Sequence, residues 1–447
     1  MSYLPHTDAD RARMLRAIGV ESIEDLFSEI PEEVRFRGLL NLPKGMDEIA
    51  LRAHAQRLAA KNLDASRAVC FLGAGIYDHF SPAVIEAIIS RGEFLTAYTP
   101  YQPEVSQGIL QAMFEYQTMI CQLTGMEVSN ASMYDGATAL AEAALMAWHH
   151  TGRTRIVISQ SVHPHYRHVV RTYAEAADLQ MEEIPCGEDG VTRLDAPITE
   201  DVACVLWQNP NFFGNLEPMA EVTARAQGRG ALAVVAMDPI ALGILKPPGE
   251  HGVDVVVGEG QPLGLAMGFG GPLLGFYACR EEYVRRLPGR IVGETVDVEG
   301  RRGFVMTLRT REQDIRRERA TSNICTNEAL MALSAAVYLS ALGKQGVRQV
   351  ANLCVQKAHY LARRLSELPG VQLASPRARF FKEFVVNLPR PAEEVVRDLL
   401  PDYLAGLPLS RYESGREHQL LIAVTEKRTR QEMDDFVQAM RGVLSRQ

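Results

Sequence analysis

Between about residues 65 and 325, short apolar runs alternate with stretches whose apolar positions recur at helical spacing. That alternation predicts a largely parallel sheet covered by helices on both faces. Runs at 155–159, 202–207, 231–237, 253–257 and 272–279 read as its strands. Helices are expected at 82–91 behind Ser81, at 103–124 closed by Gly125, and at 137–150 closed by Gly152. The first sixty residues read instead as short helices: one from a Thr7 cap to Gly19, one from Ser22 to before Pro31, and one over 46–61. Such an arm has too few apolar faces to fold alone, so it is expected to wrap a neighbour or the main body. Beyond a basic stretch at 309–319, residues 327–368 predict two long helices broken near Gly343. Short strands at 380–388 and 420–424 and helices at 393–400 and 429–444 follow, the pattern of a smaller α+β domain. The expected division is an arm over 1–62, a large α/β domain over 63–325 and a small domain over 326–447, with no internal repeat.

Composition narrows the classes. A chain of 447 residues with 47% apolar and 23% charged positions is ordinary for a soluble globular protein and can bury a large core. Net charge is −8 without a long basic run, which argues against nucleic acid. Seven scattered cysteines without a CxxC pair suit small buried thiols in a reducing compartment. The start, Met1-Ser-Tyr-Leu-Pro-His-Thr-Asp8, lacks the features of a secretory signal, and no run approaches the ~20 apolar residues that would span a bilayer. A cytoplasmic protein with no membrane partner is expected.

The chemistry concentrates at one missing amine. Residues 232–238 read as a buried strand ending in Asp238, and a second apolar run leads into Glu259-Gly-Gln261. A pyridoxal phosphate site needs an acid for the pyridine nitrogen and an amine for the imine. Asp238 suits the first role. Gln261 stands where the amine is expected, and an amide nitrogen, its lone pair delocalised, forms no imine. The lysines are 44, 61, 246, 344, 357, 382 and 427. Only Lys246 lies near the site by sequence, and Pro247-Pro248 carries it away; the others fall in the arm or the C-terminal domain.

Around this centre several segments have two readings. Gly136 and Thr138 open a helix rich in small residues, which suits either phosphate at free N–H groups or simple capping by Asp135 or Thr138. Asp135 would repel a phosphate. His163, in Ser159-Gln-Ser-Val-His-Pro-His165, could stack on a flat ring and carry protons, or could cap and pack. No carboxylate at helical spacing makes His163 and His165 a metal pair, so no metal is expected. Asn209, in an Asn-Pro-Asn turn at a strand end, suits a hydrogen bond to a pyridine oxygen or an ordinary strand exit. Residues 94–108 form a stiff loop of aromatics, hydroxyls and prolines, suited to closing over a neighbour's pocket or to core packing.

The runs Tyr98-Thr-Pro-Tyr-Gln-Pro-Glu-Val-Ser-Gln-Gly108, Tyr116-Gln-Thr-Met-Ile120, Ser129-Asn-Ala-Ser132, Pro247-Pro-Gly-Glu250, Gly270-Gly-Pro272 and Thr307-Leu-Arg-Thr-Arg-Glu-Gln313 are long and unusual. With Arg316-Arg-Glu318 and Ala320-Thr-Ser-Asn-Ile-Cys-Thr326, the chain resembles the glycine cleavage system P-protein family over nearly its whole length, in the split form and on the N-terminal-half side. The resemblance implies an α/β, aspartate-aminotransferase-like (fold type I) pyridoxal phosphate transferase with a smaller α+β domain. It implies a homologous lysine-bearing beta subunit that binds the cofactor covalently, an α2β2 assembly, glycine as substrate and a lipoylated H-protein as acceptor. Glycine would be decarboxylated and its aminomethyl group passed to the lipoyl arm. Counting back from Pro272, the family's lysine falls at Gln261. The pocket of Gly136, Thr138, His163, Asn209, Asp238 and Gln261 would then be vestigial. Tyr98, Thr99, Tyr101, Gln102, Ser106 and Gln107 would reach the partner's site. A non-catalytic scaffold that only stabilises the partner is the alternative. The missing amine predicts that borohydride treatment of the isolated chain with pyridoxal phosphate leaves no stoichiometric adduct by mass analysis; finding one would overturn the role assigned to Gln261.

Overall fold

A computed structural model of the chain describes all residues except 1–4, 37, 194, 196, 321, 323, 325–327 and 447. The boundary expected at 325/326, the helix start at Asn327 and part of the 320–326 signature therefore lie outside the described residues. The chain divides into two compact units, Met1–Asn62 and Leu63–Gln447.

In the first unit, Thr7 caps Asp8–Ile18 through a reciprocal bond with Asp10, and Gly19 ends the helix in the left-handed region. Asp47 caps Glu48–Ala59. The segment behind Ser22 is only a 3₁₀ turn, Glu24–Phe27, not the expected helix. The Asp25 carboxylate accepts from the Glu21 and Ser22 N–H groups there, a local bond that competes with helix. None of this unit's described residues is buried.

In the second unit, the described residues form a seven-stranded sheet in the order Val128–Ser129, Gly275–Cys279, Val255–Glu259, Leu232–Met237, Val202–Asn209, Arg155–Ser159, Gln180–Ile184. Five neighbouring strands run parallel, and Gly275–Cys279 runs antiparallel to both of its neighbours. Leu232–Met237 is buried at every position, because apolar clusters cover both faces. The helix predicted over 103–124 is two elements, a 3₁₀ turn at Pro103–Val105 and a helix at Gln107–Thr124, because Ser106 is non-helical (φ −125°). An antiparallel hairpin, Ile291–Val296 with Arg302–Thr307, was not expected.

A second, antiparallel sheet joins Gln372–Leu373, Glu383–Asn387, Gln419–Ala423 and Leu407–Pro408 in that order. Helices Ala392–Leu399 and Arg430–Leu444 contribute to its core, as do Phe71 and the far half of Ala329–Ser366. Gly343 breaks Ala329–Ser366 where the pattern predicted (φ 60°, ψ 179°). By length and composition this 38-residue segment passes for a membrane span, as the core helices of other proteins also do. Its apolar residues Ala332, Leu333, Ala335, Ala336 and Tyr338 are nevertheless buried in the protein.

The two sheets meet at the carboxyl edge of the parallel strands, where an isolated bridge joins Asn215 to Phe380. Gly214 makes that approach possible. It lies at φ 86°, and a Cβ there would strike the carbonyl oxygen of Glu383. Gly214→Ala is expected to destabilise the chain by about 2 kcal/mol or more, read as a shift in the denaturant midpoint. An unchanged midpoint would show that this contact is dispensable.

Candidate active-site pocket

Asp238 follows directly on Leu232–Met237, where open α/β sheets gather ligands at their carboxyl edge. The cavity beside it measures about 30 Å³, and Tyr77, Tyr166, Asp238, Glu259, Lys382 and Glu383 are among its lining residues. That is space on the order of one water molecule. The strand ends converge as expected, but little free space remains between them.

Lys382 accounts for much of this. Its Nζ lies 2.7 Å from Asp238 Oδ2, with both side chains at most 10% exposed. The ammonium sits 3.4 Å from the centre of the Tyr77 ring and 3.0 Å from His79 Nε2. The expectation that only Lys246 lies near the site is therefore overturned. Lys246 is half-exposed, 3.8 Å from Glu250, whereas Lys382 enters from the second sheet. A lysine and a glutamate inside the apolar run Phe380-Phe-Lys-Glu-Phe-Val385 were the available signal, since charges in a strand pattern call for buried partners.

Gln261 is buried and fully bonded. Its Oε1 accepts from the Tyr77 N–H (2.9 Å), and its Nε2 donates to the carbonyls of Tyr77 (3.0 Å) and Leu265 (2.9 Å). Tyr77 in turn donates its hydroxyl to Glu383 Oε2 (2.6 Å), and Glu383 Oε1 accepts from the Ala74 N–H (2.7 Å). Burial pushes the Glu383 carboxyl up to about 7. His79 Nδ1 lies 2.6 Å from Glu426, and burial, then the Lys382 charge, lower the imidazole's pKa. His79, Cys354 and Glu426 hold three potential metal ligands within 4.8 Å of one another, though a cation there would face the Lys382 ammonium.

The helix start at Gly136 shows both of its readings. Asp135 and Thr138 form a capping box on Gly136–Thr151. Yet the Gly136 N–H donates to a carboxyl, Glu259 Oε2, at 3.1 Å. Glu259 Oε1 also accepts from Gln261 and Leu274 N–H groups, both at 3.0 Å. Burial pushes Glu259 up to about 8. An acid side chain of the protein thus occupies the N–H group that a phosphate would use.

His163 takes the capping role. Its Nδ1 accepts from the His165 N–H and its Nε2 faces the Ala74 carbonyl, each at 3.0 Å, an arrangement that fits a neutral ring with the proton on Nε2. Burial lowers its pKa to about 4, so it carries no proton at neutral pH beyond the one a neutral ring holds. Asn209 is not among the cavity's lining residues; its Oδ1 accepts from the Glu217 N–H at 3.1 Å, as its strand-exit reading has it, whereas Gln208 and Pro210 line the space.

The aromatic loop lies elsewhere, and none of its six candidates lines this cavity. Tyr98 is 76% exposed, and Gln102 is exposed as well. Thr99 and Ser106 are half-buried. Tyr101 lies under the guanidinium groups of Arg290 (5.6 Å) and Arg309 (5.0 Å). Gln107 brackets Phe304 with two backbone bonds, 2.8 and 2.9 Å, which fix the loop's end to the hairpin.

Residues 1–440 match the family model described as Glycine cleavage system P-protein. The chain belongs to the glycine cleavage system P-protein family. It is 52% identical to a probable glycine dehydrogenase (decarboxylating) subunit 1 of Carboxydothermus hydrogenoformans, over 99% of this chain and 100% of the relative. The protein of the same description from Moorella thermoacetica is 51% identical over 100% of both chains. A crystal structure of the glycine decarboxylase (P-protein) of the glycine cleavage system superposes with a TM-score of 0.91 at 48% identity, covering 99% of this chain and 100% of that one. Lactobacillus brevis glutamate decarboxylase, at 14% identity and a TM-score of 0.66 over 94% and 97% of the two chains, shares the fold alone. The fold is that of the fold-type-I pyridoxal phosphate enzymes, α/β with a mostly parallel central sheet, as expected.

The P-protein family implies pyridoxal phosphate, and the residues of this pocket do not fit it. Gln261 supplies no amine, Lys382 takes the acid, Glu259 takes the helix start, and about 30 Å³ remains.

The linkage of His163 has a definite sign. A folded-state pKa near 4, below the ordinary ~6.5, gives stability that is complete above about pH 6.5 and lost as pH falls through 4. Glu259 works oppositely, its contribution being complete below the ordinary ~4.5 and lost as pH rises through about 8. His163→Asn, which keeps a capping acceptor but does not titrate, should flatten the decline of the denaturation midpoint between pH 6.5 and 4 relative to the parent. Parallel curves would remove His163 as the acid-sensitive group.

Proposed function

We propose that this chain works as the lysine-free subunit of a two-subunit glycine dehydrogenase (decarboxylating), assembled with a homologous lysine-bearing subunit, as α2β2. Glycine loses carbon dioxide, and its aminomethyl group passes to a sulfur of the lipoyl arm of an H-protein, whose disulfide is reduced. Pyridoxal phosphate, held covalently by the partner, supplies the electron sink for the decarboxylation. The observation that carries this proposal is Gln261: at the family's lysine position stands a buried amide with its carbonyl and amino groups both engaged.

This chain's contribution in the proposal is the loop from Tyr98 to Gln107. Prolines at 100 and 103 pre-set its backbone, and the bonds of Gln107 to Phe304 anchor one end. Its exposed tyrosines would dock without ordering a mobile segment, which limits the entropy lost on closing the partner's site. Tyr98, Thr99, Tyr101, Gln102, Ser106 and Gln107 are the residues proposed to approach the partner's cofactor or substrate. The arm over 1–62 supplies apolar surface for the same assembly, with Leu39 95% exposed and Phe36 and Leu42 exposed beside it. The large and small domains are proposed to divide near 325/326. The six described cysteines are free thiols, which suits the cytoplasm as the compartment.

The test reconstitutes the pair with Tyr98→Ala or Gln102→Ala in this chain and scores assembly and glycine decarboxylation separately. Each variant should assemble normally yet lose about tenfold or more in kcat/KM for glycine. Normal rates from both assembled variants would take the loop out of the site.

A further inference from the structure

The acid and the helix start that a cofactor would use in this pocket already hold side chains of the same polypeptide. We infer that this chain carries a built-in surrogate for the cofactor, made of Lys382, Tyr77 and Glu259, which closes the pocket permanently and ties the two sheets together. The inference goes beyond the proposed division of labour, since it concerns what fills this chain's own pocket.

Three replacements support it. Asp238, whose partner in a loaded site is a cationic ring nitrogen, has the Lys382 ammonium at 2.7 Å. The flat ring over that cation is Tyr77, with the ammonium 3.4 Å from its centre. The anion position at the helix start is taken by Glu259, which accepts three backbone N–H bonds, from Gly136, Gln261 and Leu274. The segment carrying Tyr77 is fastened at every turn. Glu383 receives the Ala74 N–H and the Tyr77 hydroxyl, and Gln261 brackets the Tyr77 backbone. Asp78 pairs with Lys427 (2.5 Å) and Arg428 (3.0 Å), and Glu426 takes His79 and the Phe80 N–H.

These bonds also cross between structural layers. Asp238, Glu259 and Gln261 belong to the central sheet and the loop that leaves it, whereas Lys382 and Glu383 stand at the start of a strand in the second sheet. The surrogate therefore joins two layers around a fixed, cofactor-independent contact. Restoring a lysine at position 261 would not restore the site, because the acid, the ring position and the helix start would remain occupied.

The experiment co-expresses the chain with its lysine-bearing partner and locates reduced pyridoxyl adducts by mass spectrometry after borohydride treatment in excess pyridoxal phosphate. Gln261→Lys alone should leave the adduct on the partner chain only. A stoichiometric adduct at position 261 of the Gln261→Lys variant would overturn the inference, whatever the activity of the pair. Should Gln261→Lys fail to fold, a thermal double-mutant cycle decides independently. Lys382→Met and Asp238→Asn should each lower Tm by about 5 °C, since each strands a buried polar partner, and the double variant should lose no more than the worse single one. Additive losses would show that the two residues do not act as a pair and would equally overturn it.

Discussion

A buried carboxylate and a buried ammonium constrain this protein more than any other contact. Removing either charge from water costs several kcal/mol, and the cost is offset only when the two meet with good geometry and further polar partners. Asp238 and Lys382 meet at 2.7 Å, with Tyr77 and His79 against the ammonium. The carboxylate ends a strand of the central sheet and the ammonium begins a strand of the second. The pair can therefore form only when the second sheet lies on the carboxyl edge of the first. The close passage of Gly214 against Glu383 and the bridge from Asn215 to Phe380 belong to that same junction.

The junction bears directly on chemistry. Fold-type-I enzymes gather an acid, an amine and a helix start around a flat cofactor, and this P-protein family member retains the acid and the helix start. Gln261 supplies an amide and no amine, and Lys382, Tyr77 and Glu259 of the chain itself line the space beside Asp238. Exposed features lie at the other end of the functional argument, in the proline-stiffened loop around Tyr98 and in the apolar arm.

Much of the architecture is readable from local pattern. Fully apolar runs such as Leu232–Met237 announce strands covered on both faces, and the glycines at 125, 152 and 343 mark helix ends and a break at the expected positions. Failures have local causes too. Asp25 drew N–H groups away from a helix behind Ser22, and Ser106 interrupted the helix expected over 103–124. Side-chain roles were less readable. Both ring nitrogens of His163, and the Oδ1 of Asn209, bond to backbone groups and not to the cavity.

From sequence alone came the alternating α/β order, the acid at 238, the amide at 261 and the family, because periodicity, residue chemistry and long unusual motifs are properties of contiguous residues. Tertiary structure decided what fills the pocket. Lys382 looked remote from Asp238 along the chain, and only the docking of one sheet on another brings an ammonium to a carboxylate across so many intervening residues. Charge pairing acts through space, and neither spacing nor composition encodes which distant strand will supply the partner.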